Sequence, residues 1–208
     1  MTRISAVVFD IGNVLIEWNT RHLYRKIFVD RGGVPDEAQV ERFLSTICTQ
    51  QWNEKQDAGR SLEAGTAELL ARHPNHTAAI RAFYGRFQEM MSGEIPGSVD
   101  LLKALKARRC PVFGLSNFTR ETFAPTRARF SFLGLLGGIV VSGEEGVMKP
   151  APEIYRILAS RYDLQPESTL FIDDTAANVS AAEALGFHGH HFRDAAGLAA
   201  RLSTLELL

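Results

Sequence analysis

Residues 4–15, Ile-Ser-Ala-Val-Val-Phe-Asp-Ile-Gly-Asn-Val-Leu, constrain this chain most. β-Branched and aromatic side chains lead without a break into Asp10, and Gly12-Asn13 follow closely. An apolar run of this length, closed by a turn signal, predicts a strand buried on both faces. Strands of that kind belong to parallel sheets, which hold their ligands beyond the strands' carboxyl ends. Asp10 therefore stands where a ligand is expected. Taken alone it could equally cap a turn, so the remaining chain has to decide.

The chain after this strand changes character twice. From about residue 20 to residue 94 the apolar residues recur at helical spacing, and no convincing strand is found. Asn19-Thr20 can cap a helix through Leu23, Ile27 and Phe28. Pro35-Asp36 opens a second, and Trp52 lies in a short third that Gly59 ends. Ser61 restarts the chain, His73-Pro74-Asn75 breaks it, and Ile80, Phe83, Phe87, Met90 and Met91 mark one long amphipathic helix. That apolar stripe reads as core. At Ile95-Pro96-Gly97 the pattern becomes alternation. Strands are predicted at residues 111–115, 138–142, 169–172 and 187–192, with a helix between each pair and one at the end. Strand-helix alternation with short connections implies a parallel sheet covered on both faces. The expected architecture is α/β, a doubly wound parallel sheet. Residues 1–17 and 95–208 would form its core, and residues 18–94 an inserted all-helical cap.

Composition narrows the function. A net charge of −1 over 208 residues, with no run of one sign, gives no basis for nucleic-acid binding. No apolar stretch reaches the roughly 18 residues a membrane span needs. The first strand begins almost at once, so no leader is expected. Cys48 and Cys110 fall in different elements without metal-binding company, which suits a reduced, cytoplasmic setting. Phe and Met residues could serve dimer packing, so monomer and homodimer both stand.

Four predicted strands end in, or lead to, groups able to handle an anion or a cation: Asp10, Ser116-Asn117, Lys149 a little beyond its strand, and Asp173-Asp174. A doubly wound sheet brings such ends to one crevice. Three carboxylates gathered there repel one another. A divalent cation and the Lys149 ammonium would relieve that, and magnesium suits carboxylate and carbonyl oxygens beside a phosphate.

In order and spacing these stretches resemble the motifs of the haloacid dehalogenase superfamily of hydrolases, mostly phosphatases. Residues 9–14 look like the first motif, 115–117 the second, 148–152 the third and 171–174 the fourth. The resemblance spans essentially the whole chain, and the helical block matches the family's cap. It implies a covalent mechanism in which Asp10 attacks phosphorus and forms an aspartyl phosphate that water hydrolyses. It implies magnesium held by Asp10, the backbone carbonyl of Gly12 and Asp174, with Asp173 as a further ligand or behind them. Ser116 and Asn117 would bind phosphate oxygens, Lys149 would pair with both phosphate and Asp10, and Asn178 would orient the metal ligands. The substrate would be a small phosphorylated metabolite, a sugar phosphate among the candidates.

One position departs from that pattern. Family phosphatases usually carry a second Asp two residues after the nucleophile, which protonates the leaving oxygen and later activates water. Here Gly12 occupies it. General acid-base catalysis contributes ~100- to 10,000-fold, so the resemblance implies a slow enzyme or an acid supplied by Glu17, His22 or a cap residue. Some relatives resembling sugar-1-phosphate phosphatases also read Asp-x-Gly-Asn-Val. Two other readings stay open: a 2-haloacid dehalogenase, whose family members also lack the second Asp, and a non-catalytic phosphate-binding regulator. Trp52, Glu54, Gln56 and Asp57 are expected to face the site from the cap. His188, His190 and His191 alternate along a strand expected to lie far from the acids, and read as packed or solvent-facing.

Overall fold

The computed structural model describes residues 3–208. Five parallel strands form its central sheet: β1 (Ala6–Phe9), β4 (Val112–Ser116), β5 (Ile139–Val141), β6 (Thr169–Asp173) and β7 (His188–His191). Their order across the sheet is β5-β4-β1-β6-β7. The chain thus moves outward from β1 on one side, then returns to build the other. That reversal falls beside β1, whose neighbours are β4 and β6. A doubly wound sheet opens its ligand crevice at such a reversal, so topology alone puts Asp10 next to the end of β6.

Alternate side chains of each strand face opposite ways, which divides the core in two. Val7, Phe9, Leu170 and Ile172 point to one layer, where they meet α6 (Pro96–Ala107) and α11 (Ala195–Thr204) through Val99, Leu102, Leu198 and Leu202. Ala6, Val8 and Phe171 point to the other. They meet α9 (Pro152–Arg161) and α10 (Ala176–Glu183) through Ile154, Tyr155, Leu158 and Ala182. Each fully buried side chain of this size stabilises the fold by roughly 1.5–3 kcal/mol. All residues of β1 and β6 are buried, as an uninterrupted apolar strand requires, while those of the edge strand β7 are half-buried.

Between β1 and the rest lies the helical block: α1 (Arg21–Ile27), α2 (Glu37–Thr46), α3 (Gln50–Asp57), α4 (Leu62–Arg72) and α5 (Thr77–Gly85). Asp36, Thr49 and Ser61 cap three of these helices, each accepting from a backbone N–H of the first turn. An aromatic cluster fills the block. Tyr24 and Phe43 lie 4.8 Å apart, and Trp52 meets Phe83 edge-on at 5.0 Å.

The expectation of one helix from Ile80 to Met91, and of no strand before residue 94, is corrected here. α5 stops at Gly85, residues 87–90 form a tighter 3-10 turn, and β3 (Met91–Glu94) pairs antiparallel with β2 (Ile16–Trp18). Gly85 and Gly93 are poor helix residues, and the pairing with residues 16–18 draws the backbone out. This short ribbon frames both ends of the block. α7 (Arg120–Arg129) and the helices named above follow the expected alternation, whereas α8 (Ser142–Glu145) is a short helix that starts directly after β5, where the strand was expected to run through Ser142.

Candidate active site

The turn after β1 fixes the first carboxylate. Ile11 N–H donates to Asp10 Oδ1 at 2.6 Å. The backbone N–H groups of Leu15 and Ile16 both donate to the Ile11 carbonyl, and Asn13 N–H donates to that of Ile16. Closing so tight a loop puts Asn13 at φ 53°, a left-handed conformation that asparagine tolerates better than most residues. Its Oδ1 then accepts from Trp18 N–H at 3.0 Å. Sequence reasoning passed over Asn13, although the Gly-Asn turn signal pointed to it.

Lys149 joins the strand ends. Asn117 reaches across to its backbone, accepting from Lys149 N–H at 2.8 Å and donating to its carbonyl at 2.9 Å. The ammonium group is buried, and it has three acceptors for its three protons. They are the Leu115 carbonyl at 2.9 Å, Asp10 Oδ1 at 2.9 Å and Asp173 Oδ2 at 2.6 Å. In this arrangement Lys149 orients Asp10 and keeps no proton in reserve for a bound anion, and Asn117 acts on the lysine backbone. Ser116 is buried yet borders the crevice.

The two acids at the end of β6 are not equivalent. Asp173 is wholly buried and saturated: Thr175 N–H donates at 2.8 Å, Asn178 Nδ2 at 3.0 Å, and Lys149 as above. Asp174 turns into the crevice. Burial, with Asp173 beside it, pushes its carboxyl above the usual range, against the pull of Lys149. Burial also pushes Asp10 up to about 7, although Lys149 pulls the other way. Lys149 itself stays raised, because Asp10 and Asp173 together outweigh the burial that works against its charge.

Asp10, Asp173 and Asp174 each offer an oxygen within 4.8 Å of the others. A Cβ added at Gly12 would meet nothing within 4 Å, so space lies open beside that backbone. Hard oxygen donors around open space fit magnesium. Asp10 and Asp174 are the carboxylates free to ligate, and Asp173 is already committed to protein donors.

A crevice of about 680 Å³ lies over these groups. Its floor is Asp10, Gly12, Ser116, Lys149 and Asp174, and its far wall comes from the helical block through Arg21, Leu44, Asn53, Glu54, Asp57 and Phe83. Of the four residues expected to face the site, Glu54 and Asp57 do. Trp52 and Gln56 turn inward instead: the indole N–H donates to the Gly65 carbonyl at 2.9 Å, and the Gln56 amide donates to the Trp52 carbonyl. Glu17 and His22 are not among the residues of the crevice wall; they pair with each other at 3.3 Å.

The histidines sit differently from expectation. β7 pairs with β6 so that His191 stands opposite Asp173, and its Nε2 donates to the Asp174 carbonyl at 2.9 Å. It is thus close to the acids, as a support for the strand end. His188 bonds the Glu167 carbonyl, and none of the three belongs to the carboxylate cluster.

A doubly wound parallel sheet with paired acids and a buried lysine at its reversal point is a Rossmann-type α/β frame. The family model for haloacid dehalogenase-like hydrolases matches residues 4–186, and the chain belongs to that family. It is 27% identical over 198 residues to the sesquiterpene phosphatase AstK of Aspergillus oryzae, covering 93% of this chain and 92% of that one. It is 24% identical over 190 residues to the D-ribitol-5-phosphate phosphatase of Bacteroides thetaiotaomicron, covering 88% and 89%. Among solved structures, a haloacid dehalogenase family enzyme from B. thetaiotaomicron, an aspartate-to-alanine variant in complex with magnesium and inorganic phosphate, superposes with a TM-score of 0.69. The identity is 19%, over 92% of this chain and 95% of that one. The chain is thus a hydrolase whose curated relatives include phosphatases of phosphorylated compounds. Among the described residues, no helix is long and apolar enough to cross a membrane.

Proposed function

We propose that this chain is a magnesium-dependent phosphatase of a small phosphorylated metabolite, with Asp10 as the nucleophile. The observation that carries the reading is the Lys149 ammonium held between Asp10 and Asp173, with Asp174 beside them. Structural ion pairs need two partners; a third carboxylate turned toward open space serves a cation. Asp10, the Gly12 carbonyl and Asp174 would hold magnesium, and Asp173 would stand behind them. Bound there, the ion would offset the charge of the substrate phosphate and of the acids themselves.

The chain's own residues divide the remaining work. Lys149 points the Asp10 carboxylate and favours its ionised form against the burial that opposes it. Asp10 attacks phosphorus, the ester bond breaks, and the phosphoryl group rests on Asp10 until water removes it. Ser116 donates to a phosphate oxygen. Asn117 fixes the Lys149 backbone, and Asn178 fixes Asp173. The helical block acts as a cap that excludes bulk water and limits the size of the substrate.

The test is phosphate release from a panel of polyol, sugar and terpenyl phosphates, with magnesium and with chelator, beside chloride release from 2-chloropropionate. Magnesium-dependent phosphate release that vanishes in Asp10→Asn is the expected result. Chloride release without metal would establish the dehalogenase instead, and silence in both assays the non-catalytic regulator.

A further inference from the structure

The phosphatase reading leaves two proton transfers without an owner. The leaving alkoxide needs a proton, and the attacking water must lose one. Gly12 has no side chain for either. Glu17 is ill suited: its carboxyl is held below the usual range, chiefly by the Ser92 hydroxyl, and lies outside the crevice. The groups of the far wall remain. In-line attack by Asp10 sends the leaving oxygen away from the floor, toward that wall.

Three carboxyl groups line the wall. Glu41 is tied to the Arg21 guanidinium by two hydrogen bonds, at 2.5 and 2.7 Å. Glu54 accepts from Gln50 at 2.9 Å and is less buried. Asp57, at the end of α3, is only 9% exposed and makes no ion pair among the described residues. Asn53 Nδ2 donates to its Oδ2 at 2.8 Å, while no protein donor reaches Oδ1 among the described residues. The Tyr84 hydroxyl in turn donates to Asn53 Oδ1 at 2.9 Å, so the amide that orients Asp57 is itself held. The carboxyl is therefore fixed through one oxygen, on a residue that lines the crevice.

We propose that Asp57 is the general acid and base of this enzyme, replacing the side chain that position 12 lacks. The proposal rests on the phosphatase reading. In the first step Asp10 forms a bond to phosphorus, the P–O bond to the leaving group breaks, and the departing oxygen takes the Asp57 proton. In the second, Asp57 takes a proton from water, whose oxygen bonds to phosphorus while the P–O bond to Asp10 breaks. The alcohol and inorganic phosphate leave, and both carboxyls return to their starting states. Burial, helped by Glu54, pushes the Asp57 carboxyl up to about 7, so near neutrality it can both give and accept a proton. The groups around it are Glu54 on its own helix, Tyr84 from α5, the Arg60–Glu68 ion pair between α3 and α4, and Glu144 and Glu145 on α8. Arg60 spends its Nε on Gln56 and its Nη1 on Glu68, and no ion pair joins Asp57 to a basic side chain among the described residues.

The test compares first-turnover leaving-group release from two esters in the magnesium-loaded protein. An alkyl phosphate needs a protonated leaving group, and p-nitrophenyl phosphate does not. In Asp57→Asn we expect alkyl release to fall ~100-fold or more, with p-nitrophenolate release kept in the first turnover and then slowed. The wild type should lose alkyl activity above about pH 7, and the variant should lack that limb. Asp57→Glu should keep part of the alkyl rate, and adding Gly12→Asp to Asp57→Asn should restore it. Equal loss on both esters, or none on either, would overturn the proposal while leaving the phosphatase reading intact. No phosphate release by the wild type from any ester would overturn both.

Discussion

Residue by residue, the site follows from where charge is buried and what compensates it. Among the described residues, Lys149 is the one cation that touches Asp10 and Asp173. Removing one member of such a buried set leaves the others uncompensated, typically at a cost of 3–5 kcal/mol. Lys149→Met should therefore lose about that much stability at neutral pH, measured by urea unfolding without metal; an unchanged midpoint would show that the acids are not ionised there. Asp57 makes the opposite prediction. Its folded carboxyl keeps a proton up to about pH 7, whereas the unfolded chain loses it near 3.8. The folded state then binds more protons between those values, so stability falls as pH rises through the window. Asp57→Asn should flatten that fall and stabilise the protein at pH 8, by at most roughly 2–4 kcal/mol. A pH-stability profile parallel to the wild type's would contradict this. Asp10, Ser116 and Asp173-Asp174 were legible in the sequence because each closes an apolar run, and Lys149 because Lys-Pro follows soon after one. The unequal use of Asp173 and Asp174 was not. It depends on Asn178 and Thr175 filling one carboxylate from the following turn, and spacing does not encode that.

Among the elements, the contact between α3 and the loop after α8 decides how the wall sits over the floor. Gly59, which ends α3, has φ 100°, and a Cβ there would lie 3.1 Å from Gly146 Cα. Gly59→Ala should cost about 1–3 kcal/mol through backbone strain and raise KM more than it lowers kcat. Thermal unfolding and steady-state kinetics on one ester would check both, and an unaltered KM would show that the wall does not depend on this contact. The helices and central strands were readable because their periods differ and because residues such as Asp36 and Ser61 mark helix starts; the cap at Thr49 was not read. The β2–β3 ribbon was not. Its strands have three and four residues, and the Met90-Met91 end of the second continues a helical stripe. Only pairing with a segment some 75 positions away makes it a strand, and local pattern carries no trace of that. The nearness of His191 to the acids was missed for a related reason: its register against Asp173 is set across the sheet.

At the scale of the molecule, a doubly wound sheet explains why groups from positions 10, 116, 149 and 174 share one crevice. The alternation after residue 95 announced that sheet. Glu54 and Asp57 were expected over that crevice and line it; the inward turn of Trp52 and Gln56 was not legible, because it depends on the Gly65 and Trp52 carbonyls that they bond. Gathering three acids leaves the metal-free protein electrostatically strained, so cation binding should be visible as stability. Magnesium at about 100 times its Kd would add roughly 2.7 kcal/mol, or several degrees in Tm for a chain of this length. Asp174→Asn should abolish the rise, and an equal rise in that variant would place the ion elsewhere. The most direct test of the central claim is to quench the wild-type protein in acid during turnover with magnesium and a phosphate ester, then weigh its peptides. The peptide holding Asp10 should be heavier by one phosphoryl group, acid-stable and absent in chelator; phosphate release with that peptide always unmodified, under quenching fast enough to catch the burst, would contradict it.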